Sequence, residues 1–241
     1  MGNDQYVAQA ESCDHTQDDL EDQLGASTHS QAAAAAPDPL EAALGGMDKA
    51  AAKFKGLSAD VVKVAHDAVL NEDDSFTGTI AVRRPRAREL TFVLDILQPD
   101  PKKVRLTGHK LEMYYPKKNE MQIVDLDKKG SKVVDQFMLL GFGSTSDELR
   151  SAYKLEFGGA ETVAGQKCVR LVLTPKSPEV LAKLPKFELW LSGSLGIAVQ
   201  QKLWEPGGDY EMATYTNIRL GASGELKWDV PKDAKKVVLN K

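Results

Sequence analysis

The sequence predicts a mainly β fold with a few helices: an antiparallel meander of about ten strands curled into a barrel or half barrel. Three observations predict it. From Ser75 onward, short runs rich in β-branched and aromatic residues follow one another, each closed by Gly, Pro, Asn or Asp. The connections are short, which forces antiparallel neighbours, because parallel ones need long crossovers. Twist accumulates across so many strands, so the sheet curls instead of staying flat.

Asp38-Pro39-Leu40 opens the first element, a helix, with a side-chain acceptor at the N-cap and Pro at the first helical position. Leu40, Leu44, Met47, Ala51 and Phe54 then recur at steps of four and three, giving one apolar stripe. Gly45-Gly46 weakens this helix by roughly 1 kcal/mol per Gly relative to Ala, and Gly56 is placed to cap its end. The first strand series is Thr77–Val82, Leu90–Leu97, Lys103–Leu106, Lys110–Tyr115 and Met121–Leu126. Its turns are Pro99-Asp100-Pro101, Thr107-Gly108 and Pro116-Lys-Lys-Asn119, since Pro presets a turn and Gly or Asn accepts positive φ.

Two helices are predicted mid-chain, Ser131–Leu140 and Ser146–Tyr153, the second capped by Ser146 and Asp147. The run Phe137-Met138-Leu139-Leu140-Gly141-Phe142-Gly143-Ser144 between them is more apolar than a surface connection, so it is expected to cover apolar surface. The second strand series is Tyr153–Phe157, Lys167–Leu173, Phe187–Leu191, Ile197–Trp204 and Tyr210–Leu220, interrupted by a helical turn at Ser177–Leu181. Leu90, Phe92, Leu94 and Ile96 share one face of their strand, as do Leu111, Met113 and Tyr115. Each set reads either as cavity lining or as ordinary core. Trp190, Trp204, Tyr210 and Tyr215 read either as lining or as interior staples.

Of the 241 residues, the first 36 are expected to form a polar, disordered leader and the rest one domain with a sizeable core. No apolar run approaches the roughly 20 residues of a membrane-spanning helix. With Cys13 and Cys168 alone, a disulfide framework is not expected. The net charge is −4, but residues 1–48 hold ten acids and neither Lys nor Arg, so the remainder carries about +6. That suits anionic membranes or acidic partners, whereas nucleic-acid binding lacks its aromatic and basic interleaving. The leader runs into Ala32–Ala36, like the cleavage region of a secretory signal, yet it has neither a basic nor an apolar region. It reads as a segment standing in a signal peptide's place, altered or replaced, or as an acidic disordered tail.

Catalytic readings find little material. His66 and His109 are the only histidines outside the leader, and no phosphate loop, dinucleotide fingerprint or nucleophile elbow is present. The His and Cys count cannot build a typical zinc site. The expectation is a protein that is not an enzyme and uses no cofactor or metal.

The succession Phe54-Lys-Gly-Leu-Ser-Ala-Asp60, Gly78-Thr-Ile-Ala-Val-Arg-Arg-Pro85, Gly108-His-Lys-Leu-Glu-Met-Tyr-Tyr-Pro116, Leu139-Leu-Gly-Phe-Gly143 and Leu171-Val-Leu-Thr-Pro-Lys176 resembles the periplasmic outer-membrane lipoprotein carrier family, LolA-like. It continues through Glu188-Leu-Trp190, Gln200-Gln-Lys202 and Tyr215-Thr-Asn-Ile218, so the resemblance runs from about Pro39 to the C-terminus. Order and spacing carry it, with no single diagnostic motif. The resemblance implies an unclosed antiparallel β-barrel (half barrel) with helices forming a lid over an apolar cavity. It implies a periplasmic location and an acylated lipoprotein or lipid as cargo, received from an inner-membrane donor transporter and passed to an outer-membrane acceptor.

Under that resemblance Leu90, Phe92, Leu94, Ile96, Met113, Tyr115, Trp190 and Trp204 are candidate cavity lining, and Phe137, Met138, Leu139, Leu140 and Phe142 candidate lid. Arg84 matches the family's Arg that bonds lid backbone and holds it closed; a guanidinium's fixed fork of donors suits that task. From the residues alone, Arg83 and Arg84 read as solvated groups at a strand end. This chain departs from the best-known carriers in having Arg86-Ala-Arg88, where they have apolar or aromatic residues after the Pro. Two other roles are compatible with the same half barrel: a carrier of phospholipid or glycolipid, and a sensor module of periplasmic envelope-stress regulators, which usually carry a second domain.

Overall fold

The computed structural model describes residues 38–86, 89–126, 140–221 and 226–239. Twelve strands among them form one sheet in the order β12-β6-β5-β4-β3-β2-β1-β11-β10-β9-β8-β7. In chain order they are β1 (Gly56–Asp67), β2 (Glu72–Arg86), β3 (Glu89–Gln98), β4 (Lys102–Thr107), β5 (Lys110–Tyr115) and β6 (Glu120–Asp125). Then follow β7 (Tyr153–Val163), β8 (Gln166–Pro175), β9 (Lys186–Ser192), β10 (Ala198–Trp204), β11 (Tyr210–Leu220) and β12 (Lys235–Val238). The helices are α1 (Pro39–Ala51), α2 (Ser146–Ala152) and a single turn, α3 (Pro178–Leu181). The fold is mainly β, an unclosed antiparallel half barrel with helices on one face.

Two strands go beyond the sequence reading. β1 pairs with β2 on one side and β11 on the other, joining the two predicted series. β12 pairs with β6 in parallel, against the antiparallel expectation, because it returns after more than a hundred residues and no tight turn dictates its direction.

α1 begins as predicted: Leu40 N–H donates to Asp38 Oδ1 at 2.9 Å, with Pro39 at the first position. It ends at Ala51 with Ala52 as its cap, so Phe54 is not on its stripe and Gly56 opens β1 instead of capping the helix. Leu44 and Met47 are 1% exposed and pack with Leu149 of α2 and with Leu171, Leu173, Phe187, Leu189 and Leu191 of β8 and β9. Burying each is worth about 1.5–3 kcal/mol, which outweighs the roughly 1 kcal/mol lost at each of Gly45 and Gly46. The face of the sheet that meets α1 is the inner face.

α2 is capped by Thr145, not by Ser146 or Asp147. Glu148 N–H donates to Thr145 Oγ1 at 3.2 Å and Thr145 N–H donates to Glu148 Oε2 at 2.9 Å, a reciprocal capping box. Ser146 is occupied elsewhere: its N–H and hydroxyl donate to the two carboxylate oxygens of Asp48 at 2.7 and 2.6 Å, which ties α2 to α1. Of the predicted helix Ser131–Leu140, only Leu140 lies within the described residues, in a turn.

The outer face is also packed at one edge. Trp228, Val230 and Ala234, just before β12, cover Tyr114, Met121 and Ile123, and the Arg105 guanidinium lies 4.5 Å from the centre of the Trp228 ring. Arg105 also pairs with buried Glu112, which Lys110 approaches to 3.2 Å, so that carboxylate is matched by two cations.

Candidate functional site

Residues 140–144 run across the inner face, and three of their carbonyls are held from three directions. The Leu140 carbonyl accepts from Gln201 Nε2, the Gly141 carbonyl from the Ala198 N–H at 2.9 Å, and the Gly143 carbonyl from Arg84 Nη1. Gln201 is fixed in turn, because the Tyr215 hydroxyl donates to its Oε1 at 2.9 Å. Between these bonds the side chains point into the core: Leu140 is 3% exposed and Phe142 1%. The Phe142 ring meets Tyr215 edge-on at 5.0 Å. Burial raises the Tyr215 phenol well above its ordinary pKa, so it stays a donor.

Both glycines of this segment are required by its path. Gly141 has φ +83°, and a Cβ there would lie 2.3 Å from the Ala198 Cβ; Gly143 has φ +71°, and a Cβ would lie 2.5 Å from Phe54 Cδ1. Phe54 therefore belongs to this junction, packed beside Phe142 and Ile197.

Arg84 is half-buried at the end of β2, and its own N–H donates to the Lys55 carbonyl at 3.0 Å. Its Nε is buried without a hydrogen-bond partner among the described residues. Gln201 had no role assigned from the sequence. It stands in the run Gln200-Gln-Lys202, where alternation does not show which glutamine turns inward.

Register places the predicted lining residues. Phe92 pairs with Leu106, Leu94 with Val104, Leu111 with Leu106 and Met113 with Val104, so all six share the inner face. Phe92 and Ile96 are buried, whereas Leu94, Val104, Leu111, Met113 and Tyr115 are half-buried. The Tyr115 hydroxyl lies 3.9 Å from the Met113 sulfur. α1 makes its main contacts with β7, β8 and α2, at the opposite half of the sheet. The inner face of β3–β5 is thus an apolar strip that the described helices leave largely to other cover. The Leu90 side chain and the lid candidates Phe137, Met138 and Leu139 lie outside the described residues.

Trp190 and Trp204 are on the other face. Leu189 and Leu191 point toward α1, so Trp190 between them points away, packing with Cys168 and Val199 and donating to Glu161 Oε2 at 3.0 Å. Trp204 donates to Glu188 Oε2 at 2.7 Å, and Lys186 and Lys202 sit 4.2 and 4.0 Å from its ring centre. Lys202 also lies 3.4 Å from the Tyr210 ring centre, and burial lowers its pKa. These tryptophans are staples of a cation and aromatic ladder on the outer face, which corrects their reading as cavity lining. His66 stacks on Tyr210 at 4.6 Å with its Nδ1 2.7 Å from Asp73 Oδ1, and His109 is exposed at a turn. Among the described residues no three His, Cys, Asp or Glu converge as a metal site.

The class these features define is an unclosed antiparallel sheet with helices against its inner face and a segment running across that face, the fold that the LolA-like resemblance implies. Comparison of the sequence with protein-family models and with curated proteins gives no match. Solved structures do resemble it. An uncharacterized conserved protein from Thermus thermophilus superposes with a TM-score of 0.50 at 13% identity, over 83% of this chain and 99% of that one. A MucA/MucB complex from Pseudomonas aeruginosa gives 0.47 at 19% identity, over 77% of this chain and 59% of that one. A LolA superfamily protein of Nitrosomonas europaea gives 0.35 at 11%, over 75% and 92%. The chain spans about 59% of the Pseudomonas chain it matches, and at 13% identity what it shares with the Thermus protein is the fold.

Proposed function

We propose that this protein is a periplasmic carrier that holds the acyl chains of lipoproteins against the inner face of β3–β5. It takes them from a donor transporter in the inner membrane and delivers them to an acceptor at the outer membrane. The observation that carries the reading is the half-buried apolar strip of Leu94, Val104, Leu111, Met113 and Tyr115 beside the pinned segment 140–144. Each methylene moved from water to such a surface is worth about 0.8 kcal/mol, so one long acyl chain represents on the order of 10 kcal/mol. That is ample to carry cargo across an aqueous space, and it requires that release be coupled to movement of the cover.

In this reading Arg84 is the clamp. Its bond to the Gly143 carbonyl holds the segment that leads out of the lid residues Phe137, Met138 and Leu139, and Gln201 and Tyr215 hold the same segment three residues earlier, at Leu140. The test is native mass spectrometry of the full chain purified gently from a cell envelope, followed by lipid extraction. Co-purifying acylated lipoprotein is the expected result. Phospholipid or glycolipid would move the cargo to another lipid class, and a protein that is empty and fails to take up acyl probes would refute the carrier reading.

A further inference from the structure

The strand ends of this sheet differ in charge. At the end where β1 begins, β2 ends and β11 ends, Gly56 pairs with Arg83, Leu57 with Leu220 and Ser58 with Arg219. Lys55 is bonded through its carbonyl to the Arg84 N–H, and Lys53 precedes it by two residues. Lys167 opens the next edge, its carbonyl accepting from the Gly193 N–H at 3.0 Å. Lys53, Lys55, Lys167 and Arg219 are exposed and Arg83 is half-buried. None of the five has an acidic partner among the described residues, whereas most cations on the strands elsewhere do. Asp60, the carboxylate on β1 nearest in sequence to this end, accepts from Asn217 Nδ2 at 2.7 Å.

The same end holds an apolar floor. Gly165, Gln166, Lys167, Gly193, Ser194, Leu195 and Ile218 line a cleft of about 720 Å³, with half-buried Leu195 and Ile218 as its greasy residues. Leu220, two residues beyond Ile218 at the end of β11, is 47% exposed. At the opposite strand ends Asp67, Glu72, Asp73, Asp74, Glu205 and Asp209 line an acidic cleft of about 450 Å³ at the β1–β2 and β10–β11 connections, while Lys118, Lys232 and Lys236 stand at that end of β5, β6 and β12.

We propose that the cationic end is a docking face for an anionic lipid surface. Five cations without carboxylate partners among the described residues stand at this end, Lys167 in the lining of the cleft itself, while the acidic cleft lies at the opposite strand ends, so a negatively charged bilayer orients the molecule with its Arg84 end inward. Interfacial contact follows from pairing the cations with lipid phosphates while Leu195, Ile218 and Leu220 meet the acyl boundary. This face does not depend on the carrier reading, since its residues are not those of the inner strip.

The experiment is cosedimentation of the full chain with vesicles of phosphatidylcholine alone and of phosphatidylcholine containing roughly one third phosphatidylglycerol. Binding to the anionic vesicles only is expected, and it is abolished near 1 M salt, where the Debye length falls to about 3 Å. Each Lys or Arg near such a surface changes the affinity about fivefold, so the triple variant Lys53→Gln, Lys55→Gln, Arg219→Gln binds about a hundredfold more weakly. A matched triple at the other pole, Lys118→Gln, Lys232→Gln, Lys236→Gln, removes the same charge and stays within a few fold of the parent. No binding to anionic vesicles, equal binding to neutral ones, or equal loss in both triples overturns the proposal. Lipid capture by the inner strip alone would show as salt-insensitive uptake from both vesicle types, which is distinct from each of these expected results.

Discussion

Replacing Tyr215 by Phe probes the hold on residues 140–144 with a single oxygen atom. The ring keeps its packing against Phe142, but Gln201 Oε1 loses the donor it has at 2.9 Å while the residue stays only 7% exposed. A buried acceptor left without a partner costs about 1–3 kcal/mol, and in a domain of this size each kcal/mol lowers Tm by about 2–4 °C. Gln201→Leu costs more, because it orphans both the Tyr215 hydroxyl and the Leu140 carbonyl. In the double variant the hydroxyl is no longer present to be orphaned, so the two costs do not add. Urea melts of the parent, the two single variants and the double variant should give a coupling of about 1–2 kcal/mol. Additivity within about 0.5 kcal/mol would refute the claim that Tyr215, Gln201 and Leu140 act as one chain.

Four further outcomes are expected. Arg84→Leu loses the bond to the Gly143 carbonyl together with the unpartnered Nε, effects of opposite sign, so stability changes by less than about 2 kcal/mol; hydrogen exchange at the Ala198 amide, which donates to Gly141, nevertheless speeds up, and unchanged exchange would remove Arg84 from the clamp. Gly143→Ala places a Cβ against Phe54 at a positive φ and should cost about 2 kcal/mol or more in urea melts. Tyr153 is buried against Phe187, and its phenol pKa is pushed from 10 up to about 12. The unfolded chain then ionises first, so its contribution of about 3 kcal/mol is complete below pH 10 and is lost as pH rises toward 12; denaturant melts of the parent and Tyr153→Phe across that window would show the variant's slope to be shallower. Met113→Asp should weaken binding of a fluorescent fatty acid at least tenfold while Trp190→Phe leaves it unchanged, because only Met113 faces the inner strip.

The meander was legible because its strands are short, β-branched and separated by turn residues whose chemistry is local. Asn119 takes the positive φ expected of it after the Pro116–Lys118 turn, and Asp38-Pro39 starts α1 as read. β1 is not legible as a strand, although Leu57, Ala59 and Val61 alternate inward with Ser58 and Asp60, because Lys63, Ala65 and His66 dilute the pattern along its second half. β12 had no local signal. Lys235 and Lys236 are poor strand residues, and the segment is held by Trp228 and Val230 packing on Tyr114 and Met121, more than a hundred residues away in sequence.

For the site, alternation sufficed where one face of a strand is polar, as in β5. It did not suffice for β9, where Phe187, Leu189 and Leu191 face α1 while Glu188, Trp190 and Ser192 on the other face are equally buried. A strand covered on both sides does not say which face its tryptophan takes. Gln201 was hidden for a related reason: a β-bulge between Ala198 and Gln200 shifts the register and turns Gln201 inward, which no count of alternating residues reveals.

The central claim is that the inner face of β3–β5 receives an acyl chain, and the most direct measurement is photo-crosslinking with a long-chain fatty acid carrying a diazirine near its methyl end. The full chain is irradiated with the probe and the adducts are located by peptide mass spectrometry. Adducts at Leu94, Val104, Met113 or Tyr115, competed away by unlabelled fatty acid, are the predicted result. Adducts confined to the Trp190 and Trp204 face, or labelling that competitor does not reduce, would contradict it.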